Sequence, residues 1–341
     1  MSIDSARTID VHAHVVLEES LGAAGRHGPE LTTASDGRPL FRVGGYCLHG
    51  VRYRGSPFMD PQLRIAAMDR AGIDFQVLSP NPLTYFHYID AAAAAAYCRR
   101  HNDALADLVR RYASRFAGLA ALPMQDPGLA AQELTRAVEE LGLWGAYVGT
   151  EFGLRIDAPE LDPLYRRFVE LDVPLFLHPA PAGIDGPPAF PPLGDFDLDL
   201  LVGFAAQETS AIGRIIFGGV LDRHPRLEIC VSHGGGAIAF LAGRFAQAAR
   251  KRPWATDALR EPGAFEARLR RLWFDDHVHD ERSHALLRER VGEDRLLFGT
   301  NFAGWDQPEG AGGAEVSHRL AENARRLFRR HASQAGRSAT S

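Results

Sequence analysis

The sequence predicts an α/β protein: one (β/α)8 TIM barrel with inserted loops at the C-terminal face of its strands. Three observations predict it. Eight short, apolar, β-branched runs alternate with longer amphipathic stretches along the whole chain, the pattern of parallel βα units. Every gap between runs can hold a crossover helix of a dozen or more residues. No glycine-rich dinucleotide fingerprint follows any run, which argues against a doubly wound open sheet.

The strands are expected at Thr8–His12, Phe75–Ser79, Phe116–Leu122, Gly145–Gly149, Val173–His178, Leu227–Ser232, Leu272–Asp275 and Leu296–Gly299. Between and after them, 3.6-residue patterning places helices at Pro61–Ala71, Ala91–Arg115, Leu129–Leu141, Asp162–Glu170, Leu200–His224, Ala237–Lys251, Arg282–Val291 and Val316–His331. The alanine run Ala91–Ala96 looks low in complexity. It lies between Asp90 and Tyr97-Cys98-Arg99-Arg100, as a helix start should. Two segments interrupt the alternation: glycine-rich Val15–Met59 and Pro- and Gly-rich Ala180–Asp195. Both follow strands on the side where barrel enzymes keep their active-site loops.

The chain has 341 residues, and barrels of about 250 to more than 400 residues commonly form one domain. Residues 1–331 are therefore expected to be a single domain with 15–59 as an inserted active-site region, and 332–341 a flexible polar tail. With 38 Lys and Arg against 43 Asp and Glu, the net charge of −5 argues against sequence-independent nucleic-acid binding. The polar residues before the first strand resemble neither a signal peptide nor a membrane span, so no membrane partner is expected. Cys47, Cys98 and Cys230 lack metal-type spacing, and Cys230 lies in a buried-strand pattern; a reducing cytoplasm is the expected location.

Histidines mark the expected mouth of the barrel. In Asp10-Val11-His12-Ala13-His14, strand period two puts both imidazoles on one side. His178 ends the fifth strand and His233 the sixth, so all four reach the same rim. Neutral imidazoles suit Zn²⁺ and also Mn²⁺, Fe²⁺ or Co²⁺. One divalent ion is expected on His12, His14 and His178; ligand type alone does not choose the metal, and zinc is taken first with manganese as the alternative. His233 is then a fourth ligand or a general base, and the glycines after it allow close backbone approach.

These stretches, with Met68-Asp69-Arg70-Ala71-Gly72-Ile73-Asp74 and Leu297-Phe298-Gly299-Thr300, resemble the amidohydrolase superfamily over nearly the whole length. The similar branch is that of aminocarboxymuconate-semialdehyde decarboxylase and related aromatic-acid decarboxylases. The resemblance implies metal on His12, His14 and His178, and His233 as the residue that activates water or contacts substrate. It also implies carboxylate clamps at Arg52, ahead of Asp60-Pro61, and at Arg244 after the glycines. The second would reach across a homodimer interface, and a guanidinium fork suits a carboxylate.

One position departs from the family. Where the pattern has a metal-binding aspartate after the eighth strand, this chain reads Gly299-Thr300-Asn301. An amide can coordinate but cannot accept a proton as a base. Asn301 is thus a candidate ligand, and Asp306, five residues on, a candidate proton carrier. His277 shares strand parity with His279 and is a candidate pocket residue, while His279-Asp280 looks structural. His87, within Thr84-Tyr85-Phe86-His87-Tyr88, has an aromatic setting suited to a flat substrate.

The expected activity is nonoxidative decarboxylation of an aromatic or unsaturated carboxylic acid, a small-molecule carboxylate substrate. A metal-dependent hydrolase or hydratase using His233 as base is the alternative. A noncatalytic binding protein that lost its metal with the change to Asn301 is the third reading.

Overall fold

A computed structural model describes residues 2–181, 184, 186, 193–307 and 314–332. Its strands are β1 (Ile9–Val15), β2 (Glu30–Thr33), β3 (Pro39–Val43), β4 (Tyr46–His49), β5 (Phe75–Pro80), β6 (Phe116–Gly118), β7 (Ala146–Gly149), β8 (Leu175–His178), β9 (Ile229–Val231), β10 (Trp273–Asp275) and β11 (Leu296–Leu297). Parallel pairing runs β1-β5-β6 and β7-β8-β9-β10-β11. A parallel bridge between Ala120 and Ala146 joins the two sets. On the other side, Val11 N–H donates to Phe298 O at 2.9 Å. These two seams close the eight expected strands into a barrel.

Side chains alternate between two cores. Ile9, Val11, Val77, Leu119, Tyr147, Phe176 and Leu297 belong to one buried cluster, whose other end is Leu327 and Phe328 of the C-terminal helices. Phe328 stacks on Phe176 at 5.9 Å between ring centroids, so the chain's end plugs the bottom of the barrel. The opposite parity, including Leu78, Val148, Leu177, Val231 and Leu296, packs under the outer helices. Pro61–Ala71 shows why these helices stop and start where they do: Asp60 accepts from Gln62 and Leu63 N–H, Pro61 opens the first turn, and Gly72 at φ 69° ends it.

β1 carries the feature that matters most for the site. Its register against β5 shifts between Asp10 and Ala13. Ile9 and Val11 lie in the inner core, whereas Ala13 and Val15 pack outward. This bulge reverses parity and turns His12 and His14 into the mouth. Behind it, Asp10 accepts from His12 N–H, Gln76 Nε2, Thr300 N–H and Thr300 Oγ1 at 2.7–3.1 Å, pinning β1 to β5 and to the segment after β11. Buried Arg64 donates to His14 O, Gln76 Oε1 and Pro57 O from beneath.

The structure differs from the sequence reading in three places. Region 15–59 is not all loop: β2, β3 and β4 form an antiparallel sheet turned at Gly37 and Gly44, both at positive φ. The expected helix 200–224 is a π turn over Asp199–Gly203, an α-helix over Phe204–Phe217 and a short helix Val220–Arg223, broken where Gly219 takes φ 72°. Helices Asp257–Arg260 and Ala264–Leu269 fill a stretch the patterning left unassigned. Most of Ala180–Asp195, and the tail beyond Ala332, lie outside the described residues.

Asp199–Phe217 is long and apolar enough by composition to cross a membrane. It also carries Glu208, which is buried and hydrogen-bonded to the barrel, as a charged group in a core helix must be.

Candidate metal centre and active-site cavity

His12, His14 and His178 converge at the strand ends, all buried, with one ligand atom from each within 4.8 Å of the others. The second ring nitrogen of each decides what those atoms are. His12 Nδ1 lies 2.9 Å from Asp275 Oδ2. His14 Nδ1 lies 3.1 Å from Pro80 O, and His178 Nδ1 2.5 Å from Pro179 O. Carbonyl and ionised carboxylate oxygens only accept, so each Nδ1 carries the proton and each Nε2 a bare lone pair. Burial pushes all three imidazoles below their ordinary range, His12 to about 4, which keeps them neutral.

His12 Nε2 and His14 Nε2 stand 3.2 Å apart with no proton between them. Two lone pairs facing each other in a buried site repel, and a shared cation removes the repulsion. The donor set therefore fits one divalent metal, with the oxygens behind the rings fixing tautomer and direction. For Asp275, burial raises the carboxyl, but His12 beside it, with His233 and His277, holds it below the usual carboxylate value.

His233 follows β9 at φ 47°, a conformation that turns its ring over the site. The ring centroid is 4.8 Å from that of His178 and 4.9 Å from that of His12. His233 Nδ1 is 2.7 Å from Glu208 Oε1, which also accepts from Ser232 Oγ at 3.1 Å. Burial alone would lower His233, but the charge and hydrogen bond of Glu208, helped by Asp275 and Asp306, lift it to about 9. Burial raises Glu208 as well, so the two groups share a proton and the pairing draws it toward the His233 ring. The glycines after it have positive φ, and a Cβ on Gly236 would lie 2.4 Å from Ala205 O. The close backbone approach expected here is made by the chain's own helix.

Two cavities open from these residues. One of about 590 Å³ is lined by His14, His178 and Asn301 on the barrel side and by Tyr46, Tyr53 and Phe58 of the inserted region. Another of about 320 Å³ is lined by Glu208, His233, His277, His279 and Asp306. Phe204, Asn301 and Trp305 belong to both walls. Among the described residues, no Arg or Lys lines either.

The remaining expected residues divide accordingly. Arg52 is exposed: Val51 and Tyr53 face the larger cavity, and the alternation between them points Arg52 away. Arg244 is exposed on the helix Ile238–Lys251, one turn beyond Phe240, which is 81% exposed at the rim of the smaller cavity. His87 stacks on Tyr85 in a third cavity of about 280 Å³, which meets the largest at Pro82 and Pro181. His277 stands 5.6 Å from His233 between ring centroids and bonds Asp306. Asn301 spends its amide N–H on Asp306 Oδ1, 2.6 Å away. Asp280 caps the next helix as expected, whereas His279 turns from it to Asp306.

Two carboxylates escaped the sequence reading. Glu208 is a lone acid in the apolar run 204–217, a pattern that flags a buried partner. Asp275 ends an expected strand without an assigned role, because its partner His12 is 263 positions away.

Residues 9–330 match the family model described as Amidohydrolase. The chain is 34% identical over 245 residues to the 2-amino-3-carboxymuconate-6-semialdehyde decarboxylase of Dictyostelium discoideum, covering 71% of this chain and 66% of that one. It is 30% identical over 297 residues to a gamma-resorcylate decarboxylase of Rhizobium sp., covering 78% and 86%. In fold it is similar to 5-carboxyvanillate decarboxylase of Novosphingobium aromaticivorans, solved with manganese and 4-hydroxy-3-methoxy-5-nitrobenzoic acid. The TM-score is 0.76 at 24% identity, covering 96% of this chain and 97% of that one. The chain belongs to the amidohydrolase family, on the branch that holds the aminocarboxymuconate-semialdehyde and gamma-resorcylate decarboxylases.

Proposed function

We propose that this protein is a metal-dependent nonoxidative decarboxylase of an aromatic or unsaturated carboxylic acid. The observation that carries the reading is the geometry that sets His233, bonded to Glu208 at 2.7 Å, over the rings of His12 and His178, with a neutral amide, Asn301, in the same cavity wall as His14 and His178. Hydrolysis in such a site needs a base to take a proton from water; the amide of Asn301 cannot do this, and His233, paired with Glu208, is drawn toward its proton-bearing form. Decarboxylation needs a sink for an electron pair and a proton for the carbon that loses CO₂. The decarboxylase relatives support the same reading.

His12, His14 and His178 would hold the ion, with Asn301 beside them; when bound, it supplies a Lewis acid that polarises a substrate oxygen. Tyr46, Tyr53, Phe58 and Phe204 form a wall that a flat ring can lie against and that excludes water from it. As the carbon–carboxylate bond breaks, its electron pair stays on the ring or diene carbon and CO₂ leaves. The His233 imidazolium gives that carbon its proton and is reprotonated from solvent. Glu208 keeps the proton-bearing ring turned into the cavity. Zinc is the proposed ion, with manganese, which the similar structure binds, as the alternative.

The protein is further proposed to be a homodimer. Phe240 and Arg244 present one exposed helix face at the cavity rim, and Arg244 makes no ion pair among the described residues, leaving it free to clamp a carboxylate in a second copy.

Elemental analysis of untagged protein and assay of CO₂ release from aromatic carboxylic acids test the reading together. One equivalent of metal per chain should vanish in His12→Ala and in His178→Ala, and CO₂ release with it. A product carrying solvent-labelled oxygen without CO₂ would establish the hydratase or hydrolase instead. Metal content that neither substitution changes would remove the basis of both.

A further inference from the structure

We infer that a second divalent cation binds at the rim of the smaller cavity, on His277, His279 and Asp306. His277 and His279 repeat at the end of β10 the period-two arrangement that His12 and His14 make at β1. Asp306 comes from the loop after β11 and sets one oxygen, Oδ2, against both rings: 3.0 Å from His277 Nε2 and 3.5 Å from His279 Nε2. One ligand atom from each residue lies within 4.8 Å of the others. Ligands held about 2.0–2.2 Å from a zinc-sized ion in tetrahedral or octahedral arrangement stand roughly 3.0–3.6 Å apart. The two separations from Asp306 Oδ2 fall in that range, as does the 3.2 Å between His12 and His14.

A hydrogen bond from His277 satisfies Asp306 Oδ2 without His279. It does not account for a second imidazole on the same oxygen, from a side chain that is 58% exposed and free to turn into solvent. The loop is also built to deliver the carboxylate. Asn301 and Ala303 take positive φ, and a Cβ on Gly304 would lie 2.6 Å from Asn301 Nδ2, so the turn closes only with glycine there. Asn301 Nδ2 then holds Oδ1 at 2.6 Å and leaves Oδ2 to the rings.

The surroundings favour a cation. Glu208 and Asp306 face the cavity; the proton-bearing His233 is paired with Glu208, which leaves Asp306 as the carboxylate for a cation, and no Arg or Lys of the described chain lines the wall. Two imidazoles and a carboxylate suit Mn²⁺, Co²⁺ or Zn²⁺, and the exposed edge leaves positions for water or for an oxygen of an anionic ligand. The site adjoins the triad, since the His277 and His12 ring centroids are 5.6 Å apart, but it shares no ligand with the triad and does not depend on the decarboxylase reading.

Equilibrium dialysis of the purified holoprotein against Mn²⁺ alone, with bound metal counted per chain, is the test. One equivalent beyond the triad's is expected, lost in His279→Ala and in Asp306→Asn but kept in His12→Ala, which empties only the triad. His279 is exposed, so its substitution leaves the fold intact. No further equivalent at millimolar Mn²⁺, or one that His279→Ala leaves unchanged, overturns the site whatever the triad does.

Discussion

Replacing Asp275 with Asn tests how the metal centre is held. Asp275 Oδ2 accepts from His12 Nδ1 at 2.9 Å, and Oδ1 accepts from the backbone N–H of His277 at 3.2 Å. Both partners donate, and both lie in a region closed to water: the His12 and Asp275 side chains are 0% and 3% exposed. An asparagine of the same shape has one accepting oxygen and one donating nitrogen, so it can serve only one of them. If the amide nitrogen faces His12, the ring proton must move to Nε2, and the lone pair that would bind metal is lost. If it faces His277, a buried backbone N–H is orphaned at a cost of about 1–3 kcal/mol. Loss of a carboxylate behind a metal-binding histidine costs about 10- to 100-fold in affinity, or roughly 1.4–2.7 kcal/mol. Metal competition against a calibrated chelator and urea denaturation of the metal-free protein measure the two branches separately. Asp275→Asn should lose at least tenfold in affinity, at least 1 kcal/mol in stability, or some of each, since no orientation of the amide avoids both. Affinity and stability both at wild-type values would refute the assignment of His12 as an Nδ1-protonated ligand.

Three further outcomes follow from buried or strained groups. Asn301→Asp would put a carboxylate 2.6 Å from Asp306 Oδ1, and like charges in contact cannot both ionise. The metal-free variant should therefore lose stability as pH rises from 5 to 8 relative to wild type, as denaturation curves at the two values would show; parallel curves would mean the two side chains move apart freely. Gly236→Ala sets a methyl against Ala205 O in a positive-φ conformation, so about 1–3 kcal/mol of stability should be lost, read from the urea midpoint. His101 is buried in the helix Ala91–Arg111 with neither ring nitrogen hydrogen-bonded, and burial lowers it to about 4. Between pH 6.5 and 4 the unfolded chain binds a proton there that the folded chain refuses, so stability falls as the solution is acidified. From pH 7 to 5 this amounts to about 2 kcal/mol, and His101→Leu should remove that much of the acid sensitivity. An unchanged pH dependence would show that His101 is protonated in the fold.

The barrel was legible because its signal is local and repeated. Each strand run, from Ile9 to Leu297, is apolar on both faces, as a strand between an inner core and outer helices must be, and each helix shows its own period. The inserted sheet was not legible, since β2 to β4 are four or five residues long, and only Phe41 and Val43 are fully buried. The break inside 200–224 was hidden for a different reason. The apolar run 200–202 reads as the start of the helix that follows, yet in the π turn none of its side chains is buried, and Leu201 and Val202 are about half exposed.

The histidines could be placed from the ends of their strands, but how each is held could not. Period two puts His12 and His14 on one side whichever side that is; only the bulge against β5, a property of two strands together, aims them inward. What orients the rings is similarly remote: Asp275 for His12 across 263 positions, Pro80 O for His14 across 66, and Glu208 for His233 across 25. The pairing of Asn301 with Asp306 is the exception, since five residues and a glycine turn bring them together. There the sequence reading saw a lost carboxylate and a nearby replacement. The geometry assigns the two residues different tasks: Asn301 stands at the triad as a neutral group and, by holding one oxygen of Asp306, directs the charge toward His277 and His279. The negative charge absent from position 301 is therefore still at the mouth, on Asp306, where it faces His277 and His279, while Glu208 holds the proton-bearing ring of His233.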